Sequence, residues 1–102
     1  MNSGPHAAGN VAVAADLVTQ AARLGAEIVL LPEKWNLIDL DAGQLAGAED
    51  LDGPSLTAAA AWARELGIWL IAGSISERSP EGDVTRNTSV VIDPDGAMRA
   101  VY

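Results

Sequence analysis

Two stretches of the chain carry apolar residues at the spacing of an amphipathic helix, and a short, uniformly apolar run follows each of them. The spacing predicts helices over 10–24 and 54–66. Their apolar stripes consist of Val11, Ala14, Ala15, Val18, Ala21 and Ala22 in the first helix and of Leu56, Ala59, Ala60, Ala63 and Leu66 in the second. The two runs predict strands over 27–31 and 68–72. The first run shows no polar alternation, so we expect both faces of its strand to be covered.

The last part of the chain predicts two more strands, over 88–92 and 97–102, which are joined by an Asp-Pro-Asp-Gly turn at 93–96. Two longer connections separate the predicted elements: an irregular, acidic stretch over 34–52 and a polar loop over 77–86. The element order α-β-α-β-β-β predicts an α/β fold, and its α-β-α-β part predicts a mainly parallel sheet with right-handed crossovers.

Pro32 and Glu33 directly follow the first apolar run. Proline has no N–H to donate to a central ladder, so the strand is expected to end there. Glu33 then lies at the carboxyl end of a buried strand, where open α/β sheets form ligand sites. Partial desolvation at such a place raises the pKa of a carboxyl group and suits it to proton transfer near neutral pH. Glu33 is therefore the candidate catalytic residue, although a carboxylate that caps a loop would suit the same position, and the stretch after it is expected to line a pocket.

The composition argues against several classes of function. Of the 102 residues 49% are hydrophobic, and 14 acidic against 6 basic residues leave a net charge of -8. This balance argues against nucleic acid and anionic membranes as partners, because both are bound by Lys/Arg patches. Without cysteine the chain has no disulfide, no thiolate metal ligand and no cysteine nucleophile of its own. No apolar run reaches membrane length and the N-terminus lacks the pattern of a signal peptide, so we expect a cytoplasmic protein.

Short motifs occur in a fixed order along the chain, and as an ordered set they resemble the carbon–nitrogen hydrolase (nitrilase) family over essentially the whole length. The motifs are Met1-Asn2-Ser3, Leu31-Pro32-Glu33, Gly53-Pro54, Glu65-Leu66-Gly67-Ile68, Ala72-Gly73-Ser74, Arg86-Asn87-Thr88-Ser89 and Asp93-Pro94-Asp95-Gly96. The run over 74–78 is similar to the branch that contains deaminated-glutathione amidases and omega-amidases.

The resemblance implies one half of an αββα sandwich, with a mixed sheet of about four strands and two helices on one face. It implies that residues 1–102 are the amino-terminal part of a single carbon–nitrogen hydrolase domain, incomplete at both ends. It also implies a homo-oligomer that hydrolyses small amides to a carboxylate and ammonia without a cofactor or a metal. A non-catalytic α/β interaction or regulatory module on the same scaffold is an alternative, as is an acidic ligand-binding domain unrelated to the family.

The family's catalysis implies a Glu-Lys-Cys triad, in which the cysteine attacks the amide or nitrile carbon, the lysine stabilises the tetrahedral intermediate and the glutamate transfers protons. Only the glutamate maps onto this chain, at Glu33, so the isolated chain is expected to be inactive. Trp35 and Asn87 are candidate substrate-binding residues. Trp35 also suits packing in the core, and Asn87 also suits the capping of a strand or the orientation of the loop near the site.

Overall fold

A computed structural model describes residues 1–102 and shows three helices, a four-stranded sheet and a two-stranded sheet. In chain order the elements are α1 (Ala7–Arg23), β1 (Ile28–Leu30), α2 (Asp41–Ala46), α3 (Pro54–Leu66), β2 (Trp69–Ile71), β3 (Ile75–Arg78), β4 (Thr85–Thr88), β5 (Val90–Ile92) and β6 (Met98–Val101). The predicted α/β class is confirmed, as are the mixed sheet of four strands and the two helices on one of its faces.

The four-stranded sheet has the order β1-β2-β5-β6. β1 and β2 are parallel, with Val29 opposite Leu70, whereas β2 with β5 and β5 with β6 are antiparallel. The α-β-α-β part thus forms a parallel strand pair, as predicted, and the two strands that follow add antiparallel pairs to the sheet. A parallel pair needs a long crossover connection, and β1-α3-β2 is the one βαβ unit in these residues, while β5 and β6 are joined by the predicted turn at 93–96.

The hydrophobic core lies between the four-stranded sheet and the helices α1 and α3. It includes Ala14 and Val18 of α1, Leu56, Ala59 and Ala63 of α3, Leu70 of β2, Val90 and Ile92 of β5, and Leu31, Trp35, Ile68, Ala72 and Ile75 from connecting or neighbouring segments. The small alanine side chains on both helices allow the two helices to pack closely against each other and against the sheet.

The opposite face of the sheet is exposed to solvent. Ile28 and Leu30 on β1 are 62% and 69% exposed, and Trp69, which is paired with Ile28 on β2, is 41% exposed. The expectation that both faces of β1 are covered is therefore wrong for these 102 residues. Both long helices pack on the same side, so alternate side chains of an apolar strand point away from them.

Three elements, a short helix and the two strands of a hairpin, lie at least partly where the sequence predicts irregular connections. The acidic stretch over 34–52 contains α2, which is only six residues long. The polar loop over 77–86 contributes to a hairpin of β3 and β4, in which Ile75 pairs with Thr88 and Arg78 with Thr85. The predicted strand over 88–92 is divided at Ser89 between β4 and β5, which belong to different sheets.

Candidate functional site

Glu33 lies at the edge of the sheet where the parallel strands β1 and β2 both end. The ladder between them closes with the N–H of Leu31 donating to the carbonyl of Ile71 at 3.0 Å. Pro32 and Glu33 follow as exposed residues. The chain after β2 passes the same edge at Gly73 and Ser74, because parallel strands have their carboxyl ends on one side of a sheet. Backbone groups of the segment after β2 can therefore form hydrogen bonds with the turn that follows β1.

The turn that carries Glu33 is held by Gly73 and Ser74. The N–H of Lys34 donates to Ser74 Oγ at 2.9 Å, and the N–H of Trp35 donates to the Ser74 carbonyl at 3.2 Å. Lys34 is the one non-glycine residue with a positive φ, at 49°. Such a backbone is strained for an L-residue and persists where the surroundings enforce it. The direction in which the chain leaves Glu33 is thus set by its contacts with the segment after β2.

Gly73 allows the close approach of the two segments. Its φ is +37°, and a Cβ at this position would overlap the carbonyl oxygens of Leu31 and Pro32. Any larger residue would therefore push the strand ends apart and displace the turn before Glu33.

Asn87 contacts Glu33 directly. Its Nδ2 donates to Glu33 Oε1 at 2.9 Å, although the two residues are 54 positions apart in the sequence. Asn87 is presented by β4, where it pairs with Ser76 of β3. Both side chains are exposed, so these 102 residues do not supply the partial burial of Glu33 that the sequence led us to expect. Their roles in catalysis and substrate binding remain predictions.

Trp35 lies in the core instead of on a surface. Its side chain is 0% exposed, and its Nε1 donates to the carbonyl of Ala72 at 3.2 Å. Its ring packs against Trp62 of α3 with 5.8 Å between centroids and 57° between planes, a tilted arrangement that aromatic pairs favour. The ring of Trp35 thus packs in the core, as the sequence also allowed, and its role in substrate binding remains a prediction.

A cleft of about 340 Å³ lies beside the Glu33 turn. It is lined by Lys34, Asp41, Gln44, Leu45, Asp83, Val84 and Thr85. Lys34 directly follows Glu33, and Thr85 lies two positions before Asn87 on β4 and hence on the same side of that strand. The prediction that the stretch over 34–52 lines a pocket is confirmed, since Lys34 and residues of α2 belong to it.

Glu49 and Asn36 belong to a polar cluster that the sequence did not indicate. Asn36 is fully buried, and its Nδ2 lies 3.2 Å from Glu49 Oε2 and 3.3 Å from Ser55 Oγ. The pattern that could have identified Glu49 is an acidic residue a few positions before the Gly53-Pro54 start of α3, where a carboxylate can accept from free helix N–H groups.

The structure contains no group of three or more His, Cys, Asp or Glu side chains that could hold a metal ion. None of its helices combines the length and the apolar character needed to cross a membrane.

Comparison with known proteins covers the whole chain. The family model described as carbon-nitrogen hydrolase matches residues 1–102. The deaminated glutathione amidase of Homo sapiens is 36% identical over 106 residues, which cover 100% of this chain and 32% of the human protein. The omega-amidase NIT2 of Danio rerio is 36% identical over 95 residues, which cover 93% of this chain and 34% of the fish protein. The chain thus spans about a third of the length of these curated relatives.

Solved structures show the same fold. The crystal structure of the C. elegans NitFhit protein matches with a TM-score of 0.91 and 30% identity over 100% of this chain and 25% of that chain. A CN-hydrolase superfamily protein from Xanthomonas campestris matches with a TM-score of 0.83 and 27% identity over 99% of this chain and 36% of that chain. The resemblance seen in the ordered motifs is confirmed, and the chain belongs to the carbon–nitrogen hydrolase family.

Proposed function

We propose that the protein is an amidase in which Glu33 is the catalytic glutamate. The substrate class is a small non-peptide amide, and the products are a carboxylate and the released nitrogen group. The observation that carries the proposal is the pairing of Glu33 with Asn87: a carboxylate at the end of a parallel strand pair is held by an amide donor from a distant strand. Family membership supports it, because Glu33 occupies the Leu-Pro-Glu motif on which the resemblance rests.

In this mechanism Glu33 accepts the proton of a cysteine thiol while the sulfur attacks the amide carbon. The proton passes to the nitrogen leaving group as the C–N bond breaks, and a thioester remains. Glu33 then accepts a proton from water, whose oxygen attacks the thioester carbon, and the proton returns to the sulfur as the C–S bond breaks. The hydrogen bond from Asn87 orients the carboxylate for these transfers, which require the proton donor within hydrogen-bond reach.

The nucleophile of this mechanism is not among the 102 residues, which contain no cysteine. The single lysine, Lys34, is adjacent to Glu33 and lines the cleft beside the Glu33 turn, whereas Glu33 is not among the residues that line this cleft. We therefore propose that residues 1–102 form the amino-terminal part of one hydrolase domain and are inactive alone. The remainder of the domain supplies the lysine and the cysteine, covers the apolar sheet face that includes Ile28, Leu30 and Trp69, and partly buries Glu33.

A chimera with a complete relative tests the role of Glu33, and it does so independently of whether the 102-residue chain is active alone. The matched region of the human deaminated glutathione amidase is replaced with residues 1–102, and hydrolysis of deaminated glutathione is measured. Glu33→Gln is expected to lower kcat by about 10²–10⁴, the usual contribution of general acid–base catalysis. Glu27→Gln is the matched control, because Glu27 is an exposed carboxylate just before the opposite end of β1.

Three results would contradict the proposal. A Glu33→Gln chimera with full activity would show that this carboxylate takes no part in the reaction. Hydrolysis by the purified 102-residue chain, well above buffer and abolished by Glu33→Gln, would show that no added cysteine is needed. A chimera that folds but is inactive in every form, including the unsubstituted one, would favour the non-catalytic module.

A further inference from the structure

Asn36 is a buried polar residue whose hydrogen bonding is incomplete. Its side chain is 0% exposed, and its Oδ1 has no donor within hydrogen-bond distance. Its Nδ2 donates to Glu49 and Ser55. An unsatisfied buried carbonyl costs free energy, and apolar groups of the same shape in place of both partners can be nearly neutral. The polar contacts that the structure shows for this side chain are therefore those of Nδ2, toward Glu49 and Ser55.

Glu49 holds Asn36 and the start of α3 with a single carboxylate. Its Oε1 accepts from the N–H of Ser55 at 2.8 Å, and its Oε2 accepts from Ser55 Oγ at 2.6 Å and from Asn36 Nδ2 at 3.2 Å. The start of a helix favours a carboxylate through its free N–H groups and its dipole. The three donors and the helix thus keep this carboxylate in one orientation.

The backbone of Glu49 also forms hydrogen bonds, in addition to those of its side chain. Its N–H donates to the carbonyl of Ser76 at 3.0 Å, and its carbonyl accepts from the N–H of Arg78 at 2.9 Å. Both partners belong to β3, the strand that pairs with β4 and so positions Asn87. Glu49 therefore connects the strand pair that carries Asn87 with the segment that carries Glu33.

In the segment from Glu33 to Asn36, each residue after Glu33 forms a backbone hydrogen bond with another part of the chain. Lys34 and Trp35 donate to Ser74, and the carbonyl of Asn36 accepts from Asn10 Nδ2 at 3.0 Å. The Asn36 side chain adds a polar contact that links this segment to β3 through Glu49, and it also donates directly to Ser55 of α3. A loss of the contact with Glu49 removes the side-chain link between the Glu33 turn and β3.

On the basis of the proposed function, we propose that Glu49 is a positioning residue for Glu33. It acts through Asn36, which fixes the backbone over 34–36 relative to β3, so that the Glu33 carboxylate meets Asn87 in a single orientation. Glu49 contacts neither the substrate nor the reacting atoms in this scheme. A displacement of about 1 Å in such a group can lower a rate by about a hundredfold.

An exchange of donor and acceptor tests the proposal. Asn36→Asp places two carboxylates against each other and breaks the contact, and Asn36→Ala removes it while the bonds from Glu49 to Ser55 remain. In the double variant Asn36→Asp with Glu49→Gln, the new amide donates to the new carboxylate and its oxygen still accepts from the N–H of Ser55. Asp50→Asn is the control, because it removes a neighbouring exposed carboxylate for which the structure shows no side-chain hydrogen bond.

Hydrogen exchange and the NMR signal of the Asn87 side-chain amide are measured on the 102-residue chain. Both single variants at Asn36 are expected to accelerate exchange of the Lys34 and Trp35 N–H groups by about tenfold relative to that of Leu31, which is bonded within the sheet. The Asn87 amide signal is expected to move toward its position in a Glu33→Ala chain. The double variant is expected to restore both measurements, and Asp50→Asn to change neither.

Equal acceleration at Leu31, Lys34 and Trp35 would show a purely structural role and overturn the proposal. Unchanged exchange in both single variants, or failure of the double variant to restore it, would also overturn it. These measurements require no substrate, so they are independent of the proposed function. A Glu33→Gln chimera with full activity would refute the catalytic role of Glu33, but it would not change the hydrogen-exchange result on its positioning. In the chimera, Asn36→Asp is expected to lower kcat by about tenfold or more, and the double variant to restore it.

Discussion

At the scale of single residues, the turn before Glu33 depends on the absence of a side chain at Gly73. Gly73→Ala combines a positive φ with an overlap against two backbone carbonyls, so we expect it to lower the free energy of unfolding by about 3 kcal/mol or more. Gly67→Ala is the matched control, because Gly67 has a φ of 65° but no atom within 4 Å of the added Cβ. Its expected cost is about 1–2 kcal/mol.

Urea denaturation of both variants measures the difference. Equal losses would show that only the backbone conformation matters at Gly73 and that the overlap with Leu31 and Pro32 relaxes freely.

Asn87 is expected to affect activity and stability very differently. Its hydrogen bond to Glu33 is exposed, so Asn87→Ala should change the free energy of unfolding by less than about 0.5 kcal/mol. In the chimera the same substitution should lower kcat by about tenfold or more, since the carboxylate loses the donor that orients it. Arg86→Ala provides the control, because Arg86 is exposed on the opposite side of the same strand. Similar kcat values for the two variants would contradict the assigned role of Asn87.

At the scale of elements, the Trp35–Trp62 pair joins the Glu33 turn to α3. Trp35→Ala empties a fully buried site and is expected to cost about 3–5 kcal/mol. Trp69→Ala, on the exposed face of β2, is expected to cost about 1 kcal/mol. Thermal unfolding followed by circular dichroism compares the two, and a larger loss for Trp69→Ala would contradict the arrangement of the layers.

Most of the elements that the sequence predicts have a long or uniform apolar pattern, whereas β6 is predicted by the turn that precedes it. α1 and α3 repeat apolar residues over several turns, and the strands β1, β2 and β5 lie in short runs without charged residues. α2 has too few residues to show a helical period. β3 and β4 are rich in polar residues, such as Glu77 and Arg86, which pair across the hairpin, and the sequence therefore resembles a loop.

The sequence likewise predicts some features of the candidate site and not others. Glu33 and Asn87 were each identifiable from motifs, but their contact depends on the unpredicted hairpin that carries Asn87. The burial of Trp35 depends on the packing of α3 against the segment after β1. The position of Glu49 shortly before the Gly53-Pro54 start of α3 could have marked it as a residue that contacts the helix start, but its contact with Asn36 was not predictable, because the two residues are 13 positions apart and follow no recognisable spacing.

At the scale of the whole molecule, the uncovered sheet face predicts self-association of the 102-residue chain. Ile28 and Leu30 are more than half exposed on adjacent positions of this face, and contiguous apolar surface favours contact with another protein surface. We expect size-exclusion chromatography to show a dimer or larger species. The double variant Ile28→Thr with Leu30→Thr, which places a β-branched residue suited to strands at both positions, is expected to shift the chain toward monomer.

Leu40→Ser is the control for this prediction, because Leu40 is 84% exposed but lies before α2, outside the sheet. The net charge of -8 opposes association. Added salt screens this repulsion and should therefore strengthen the association. An unsubstituted chain that elutes as a monomer at all concentrations and melts cooperatively would contradict the prediction.

The hydrogen bond between Asn87 and Glu33 also bears on the order in which the protein folds. It closes a loop of 54 residues, whereas the helices and the β3–β4 hairpin form from contacts between near neighbours in the sequence. Closure of a long loop loses chain entropy before any native contact compensates for it. We therefore expect the carboxylate–amide pair to assemble after the helices and the hairpin have formed.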